Sequence, residues 1–119
     1  MPETKNKYDL EERTAKFGGD TILFCRSIKM DDIIRPLITQ FIRSATSVGA
    51  NYMEANGACS KKDFKNKIYI CKKEAQESKH WLNMISVACP DKAEEAKKLW
   101  QEAQELTLIF GRIVSTLKN

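Results

Sequence analysis

The chain has 119 residues, 42% hydrophobic and 30% charged, with 20 basic against 16 acidic side chains for a formal net charge of +4. That is the length of one domain, enough to bury a core and too short for two. The positive balance allows an anionic partner without the density of a dedicated nucleic-acid tail, and 3 prolines with 5 glycines leave long helix-forming segments that exclude a many-stranded sheet.

The first segment, MPETKNKYDLEER, carries no apolar stretch of signal type, and no apolar run approaches the roughly 18 residues needed to cross a bilayer. A soluble, cytoplasmic protein with no membrane contact is expected, with residues 1–8 disordered or extended. Helix one is expected over 9–28, where Leu10, Thr14, Phe17, Thr21, Phe24 and Ile28 form one stripe. Gly18 and Gly19 cost roughly 1 kcal/mol each relative to alanine, so they mark a kink or a close backbone contact.

Helix two is expected over 33–56, after Asp31 and Asp32, with Pro36 tolerated in its first turn. Its core line is Ile34, Leu37, Ile38, Phe41, Ala45, Val48 and Tyr52. Midway the apolar residues give way to RSATSVGANYMEANGA, residues 43–58, where Ser, Thr, Gly, Ala and Asn suit a site or a close-packed seam. Asn56-Gly57 supplies the stop through a left-handed glycine.

Helix three is expected over 61–87, capped by Ser60 with Asp63 three residues on. Its core stripe is Phe64, Ile68, Cys71, Ala75, Ser78, Leu82 and Ile85. Cys89-Pro90-Asp91 breaks the chain and caps helix four, 91–117, with a core line from Ala96 through Leu99, Ala103, Leu106, Phe110 and Ile113 to Leu117. Four helices of about 30–42 Å joined by short connections imply one all-α domain, an antiparallel up-down-up-down four-helix bundle.

In LTLIFGRIV, apolar residues cover most of the helix circumference, more than one core can bury. Leu23, Ile70, Trp81, Leu108 and Ile109 are therefore candidates for an interface between copies of the chain. Glu74 falls inside the apolar arc of helix three and requires a partner; Arg43, Ser47 or Asn51 can supply it, and with Ser44 and Glu54 they form a buried polar seam.

Chemistry is scarce. Glu77 and His80 form an ExxH of the kind found in di-iron bundles, but a second ExxH is required. His80 is the chain's single histidine and lies about 160° from Phe64 on the helical wheel. No catalytic residue, metal or cofactor is expected. Residues 61–73 hold Lys61, Lys62, Lys65, Lys67, Lys72 and Lys73 against the single acid Asp63. Lys61, Lys65, Lys72 and Lys79 share one ridge. Cations near a helix N-terminus oppose its dipole, so Lys61, Lys62, Lys65, Lys72, Lys73 and Lys79 are candidates for phosphate contacts; the plainer alternative is a solvated face. The four cysteines, Cys25, Cys59, Cys71 and Cys89, are widely spaced and expected as reduced thiols.

The run IRSATSVGANYMEANGACSKKDFKNKIYICKKEAQESKHWL, residues 42–82, resembles the bacterial family of four-helix-bundle proteins first noticed within intervening sequences of 23S rRNA genes. The resemblance implies an antiparallel bundle that assembles as a homopentamer, related in fold to basic, nucleic-acid-contacting accessory proteins of diversity-generating retroelements. It brings no catalytic residues. The expected function is therefore a non-enzymatic oligomer binding RNA or DNA through helix three, the alternative being a scaffold for a protein partner without nucleic acid.

Overall fold

A computed structural model describes residues 9–117, so the expectation for residues 1–8 lies outside the described part. Four helices, α1 (Leu10–Arg26), α2 (Ile34–Asn56), α3 (Lys61–Ala88) and α4 (Ala93–Thr116), account for nearly all of it, with no strand among the described residues. The body measures 45 × 27 × 20 Å. The all-α four-helix expectation holds.

The ends of the helices follow local chemistry. Asp9 accepts from the Glu12 amide at 3.2 Å and caps α1, while Asp31 accepts from the amides of Ile33 and Ile34 at 2.9 and 2.8 Å and anchors the start of α2. Ser60 accepts from the Asp63 amide at 3.0 Å to cap α3. Two ends differ from expectation. Gly57 has φ −98° and is not left-handed; the chain leaves α2 through Gly57 and Ala58 amides bonded three residues back, to Glu54 and Ala55. Pro90, with no amide hydrogen to donate, opens a 3-10 turn, Pro90–Lys92, so α4 begins at Ala93 rather than Asp91 and without a side-chain cap.

Each consecutive pair of helices is in contact, and the contacts run in opposite chain order. Between α2 and α3 Glu54 meets Lys67 and Ser44 meets Ser78. Between α1 and α2, Phe24 packs edge-on against Phe41 with centroids 6.4 Å apart, and Thr14 faces Gly49. Phe17, Phe41, Ile68, Leu82, Ile85, Leu106 and Phe110 are fully buried at the centre. Gly18 and Gly49 both face the neighbouring helix at ordinary contact distance: a Cβ on Gly18 would lie 3.7 Å from the Thr46 backbone, and one on Gly49 would lie 3.5 Å from the Thr14 backbone. α1 is continuous through both of its glycines, and nothing lies within 4 Å of a Cβ on Gly19.

Candidate nucleic-acid interface

Four glutamates of α3 and α4 are drawn into two seams with arginines, and that distribution defines the site. In the α2–α3 seam the Glu74 side chain is 12% exposed, and Arg43 donates to it at 3.3 Å and to Glu77 as well. The Trp81 indole donates to Glu77 at 3.0 Å. That bond and then Arg43 hold the Glu77 carboxyl below its ordinary range. In the α1–α4 seam Arg13 donates to Glu102 at 2.7 and 3.0 Å and to Glu105 at 2.6 Å.

The expected partner for Glu74 is therefore present in Arg43. Ser47 and Asn51 do not serve it: each donates to a carbonyl of its own helix, Arg43 O at 2.6 Å and Ser47 O at 2.8 Å, because at their positions the i−4 carbonyl is nearer than α3. Ser44 instead shares a buried hydroxyl pair with Ser78 at 2.9 Å, and Glu54 takes Lys67 at 2.8 Å. Glu77 as the second acceptor for Arg43 went unnoticed in the sequence, although its i−4 spacing from Trp81 was the available signal.

What remains between α3 and α4 is a groove lined by Lys72, Lys79 and Arg112 with Gln76, Gln104 and Leu108 and no carboxylate. Among the described residues none of the three cations has a carboxylate within ion-pairing distance. Lys79 donates to Gln104 and lies 5.2 Å from the Trp100 ring centroid, which fixes its ammonium at the groove edge. The Lys72 stem crosses α4 where glycine stands, its Cε 3.8 Å from a Cβ on Gly111. Lys72 also borders a neighbouring depression with Tyr69, Ile70, Lys73 and Gln76. Lys61 and Lys62 are exposed and Lys65 half-buried on α3, outside both depressions. Arg112 is the addition that sequence reading missed, since only the fold brings its helix beside the lysine ridge.

The interface candidates are dispersed. Leu23 is 66% and Leu108 51% exposed; Trp81 and Ile109 pack partly against the core, and Ile70 is half-buried beside Tyr69. Ile22 and Met53 are exposed apolar residues along the α1–α2 groove. His80 is exposed, and among the described residues no group of three or more His, Cys, Asp or Glu is placed to hold a metal. All four cysteines are free. Among the described residues no helix is long and apolar enough to cross a membrane.

The sequence profile of the family described as 23S rRNA-intervening sequence protein matches residues 15–112. A crystal structure of a protein of unknown function from the S23 ribosomal protein family of Bacteroides thetaiotaomicron VPI-5482 superposes with a TM-score of 0.74 at 25% identity, over 87% of this chain and 96% of that one. No curated protein matches significantly.

Proposed function

The chain belongs to the 23S rRNA-intervening sequence protein family, and on that premise we propose that it is a non-enzymatic, cytoplasmic homo-oligomer, a pentamer, that binds RNA through the α3–α4 groove. One observation carries the reading: Lys72, Lys79 and Arg112 converge on a groove without a carboxylate, while Glu74 and Glu77 of α3 pair with Arg43, and Glu102 and Glu105 of α4 with Arg13. Uncompensated cations at fixed spacing attract phosphates and release their counterions. Lys73 adds to the same face, and Lys61, Lys62 and Lys65 extend positive charge toward the start of α3.

The test is RNA affinity measured across a salt series. With four cations engaged, log affinity falls against log salt with a slope of roughly −3 for single strands. Replacing Lys72 and Arg112 by Glu abolishes retention while leaving oligomer mass unchanged. RNA retention by that variant equal to the parent's would discard the groove and favour a scaffold for a protein partner.

A further inference from the structure

We propose that the polynucleotide taken by this face is an unpaired strand, with Tyr69 as a stacking platform for its bases. The inference rests on the reading that the α3–α4 groove holds nucleic acid and adds what kind. Tyr69 is 53% exposed, and among the described residues its hydroxyl has no hydrogen-bond partner within the chain. Core packing therefore does not account for an aromatic ring here. The ring sits among cations: Lys72 Nζ lies 6.0 Å from its centroid, and Lys73 and Gln76 border the same depression.

Lys72 and Gln76 border both depressions, so Tyr69 opens onto the track that continues to Arg112 and Lys79. From Tyr69 to Lys79 the track follows about 15 Å of α3. A duplex presents phosphates but keeps its base faces stacked inside, so it would use the lysines and leave Tyr69 idle. An unpaired strand uses both, its phosphates on Lys72, Lys79 and Arg112 and a base face on the ring.

The experiment titrates the full-length protein with a fluorescein-labelled uridine 12-mer and with a blunt RNA duplex of equal length. The single strand is expected to bind more tightly. Tyr69→Leu weakens single-strand binding about 5- to 150-fold, the range for loss of one stacked base. Its salt slope is unchanged, and Tyr69→Phe binds as the parent does. Arg112→Gln does the converse, making the slope shallower by about 0.7. Circular dichroism and light scattering of Tyr69→Leu establish that fold and assembly are retained. Duplex binding as tight as single-strand binding, or full affinity in Tyr69→Leu, would overturn the inference and leave the RNA-binding reading standing; failure of both probes to bind would overturn both.

Discussion

Arg43 on α2 and Glu74 on α3 meet at 3.3 Å, the carboxylate 12% and the guanidinium 45% exposed. The buried acid cannot recover water if its partner is removed, whereas the arginine can. Truncation is therefore asymmetric: Arg43→Ala leaves Glu74 without its cation and Glu77 with the Trp81 indole alone, while Glu74→Gln leaves Arg43 with Glu77. We expect Arg43→Ala to cost about 1–2 kcal/mol, the range for a charged hydrogen bond discounted for solvent at the arginine, and Glu74→Gln less than half of that. Urea unfolding at pH 7 measures both; equal losses would contradict the asymmetry.

The same cluster sets a response to acid. Glu77 is held below the ordinary carboxylate value by the Trp81 indole and Arg43, so the unfolded chain takes up its proton first as pH falls. Its contribution to stability is complete above about pH 4.3 and is lost as pH falls from there through the lower value in the fold. Trp81→Phe removes the leading cause of the shift, so the parent's excess stability over this variant should shrink between pH 5 and pH 3. An excess that stays constant over that interval would exclude the indole as the cause.

The cysteines divide by burial. Burial pushes the Cys25 and Cys71 thiols up to about 12, and Cys89 is raised by the same cause; Cys59 alone is exposed. A thiol-reactive disulfide reagent at pH 8 should titrate one group rapidly in the native protein and four after denaturation. Raised folded values favour the fold fully below the ordinary thiol value of about 8.5, and that contribution declines as pH climbs from there toward 12. Rapid native labelling of two or more thiols would contradict the burial.

Much of this was legible in the sequence, for identifiable reasons. Stripes such as Ile68, Cys71, Ala75, Ser78, Leu82 and Ile85 repeat at helical spacing, and all are buried. Ser60 caps α3 and Asp31 anchors the turn into α2, where short oxygen-bearing side chains precede a periodic run. Glu74 was exposed as an anomaly by its place in an apolar arc. Arg112 and Gly111 were not legible as site positions, because they share the groove with Lys72 only after α4 docks on α3. Neither Ser47 nor Asn51 could be distinguished from Arg43 as a partner, since helical register gives direction but not reach. Length decides there: Arg43 crosses to α3 and the shorter side chains fold back on α2.

The glycines of α1 and α2 separate in the same way, by what surrounds them. Gly19 has open space around its missing Cβ, so Gly19→Ala gains the helix propensity difference, about 1 kcal/mol, without a steric penalty. Gly49 faces the Thr14 backbone at 3.5 Å, which cannot swing aside as a flexible side chain would. A single methyl fits at ordinary contact distance, but Gly49→Leu must push α1 away and is expected to cost about 1–3 kcal/mol. Thermal unfolding should place Gly19→Ala above the parent and Gly49→Leu below it; a neutral Gly49→Leu would mean that the α1–α2 approach is looser than described.

Self-association and RNA binding cannot both use Leu108. It is 51% exposed and lines the groove of Lys72, Lys79 and Arg112, so a subunit seated on it would cover the cations. Leu23, 66% exposed, stands on α1 and lines neither of the basic depressions. An oligomer that binds RNA would therefore leave the groove around Leu108 open, and Leu23 is the most exposed of the interface candidates outside it. Burying a leucine contributes about 1.5–3 kcal/mol, and a glutamate in its place adds the cost of desolvating a charge. Leu23→Glu is expected to lower the mass seen by light scattering at micromolar concentration, and Leu108→Glu to leave the mass unchanged while weakening RNA binding through its negative charge. The reverse result, dissociation by Leu108→Glu alone, would place the interface on the groove and remove it from contact with RNA.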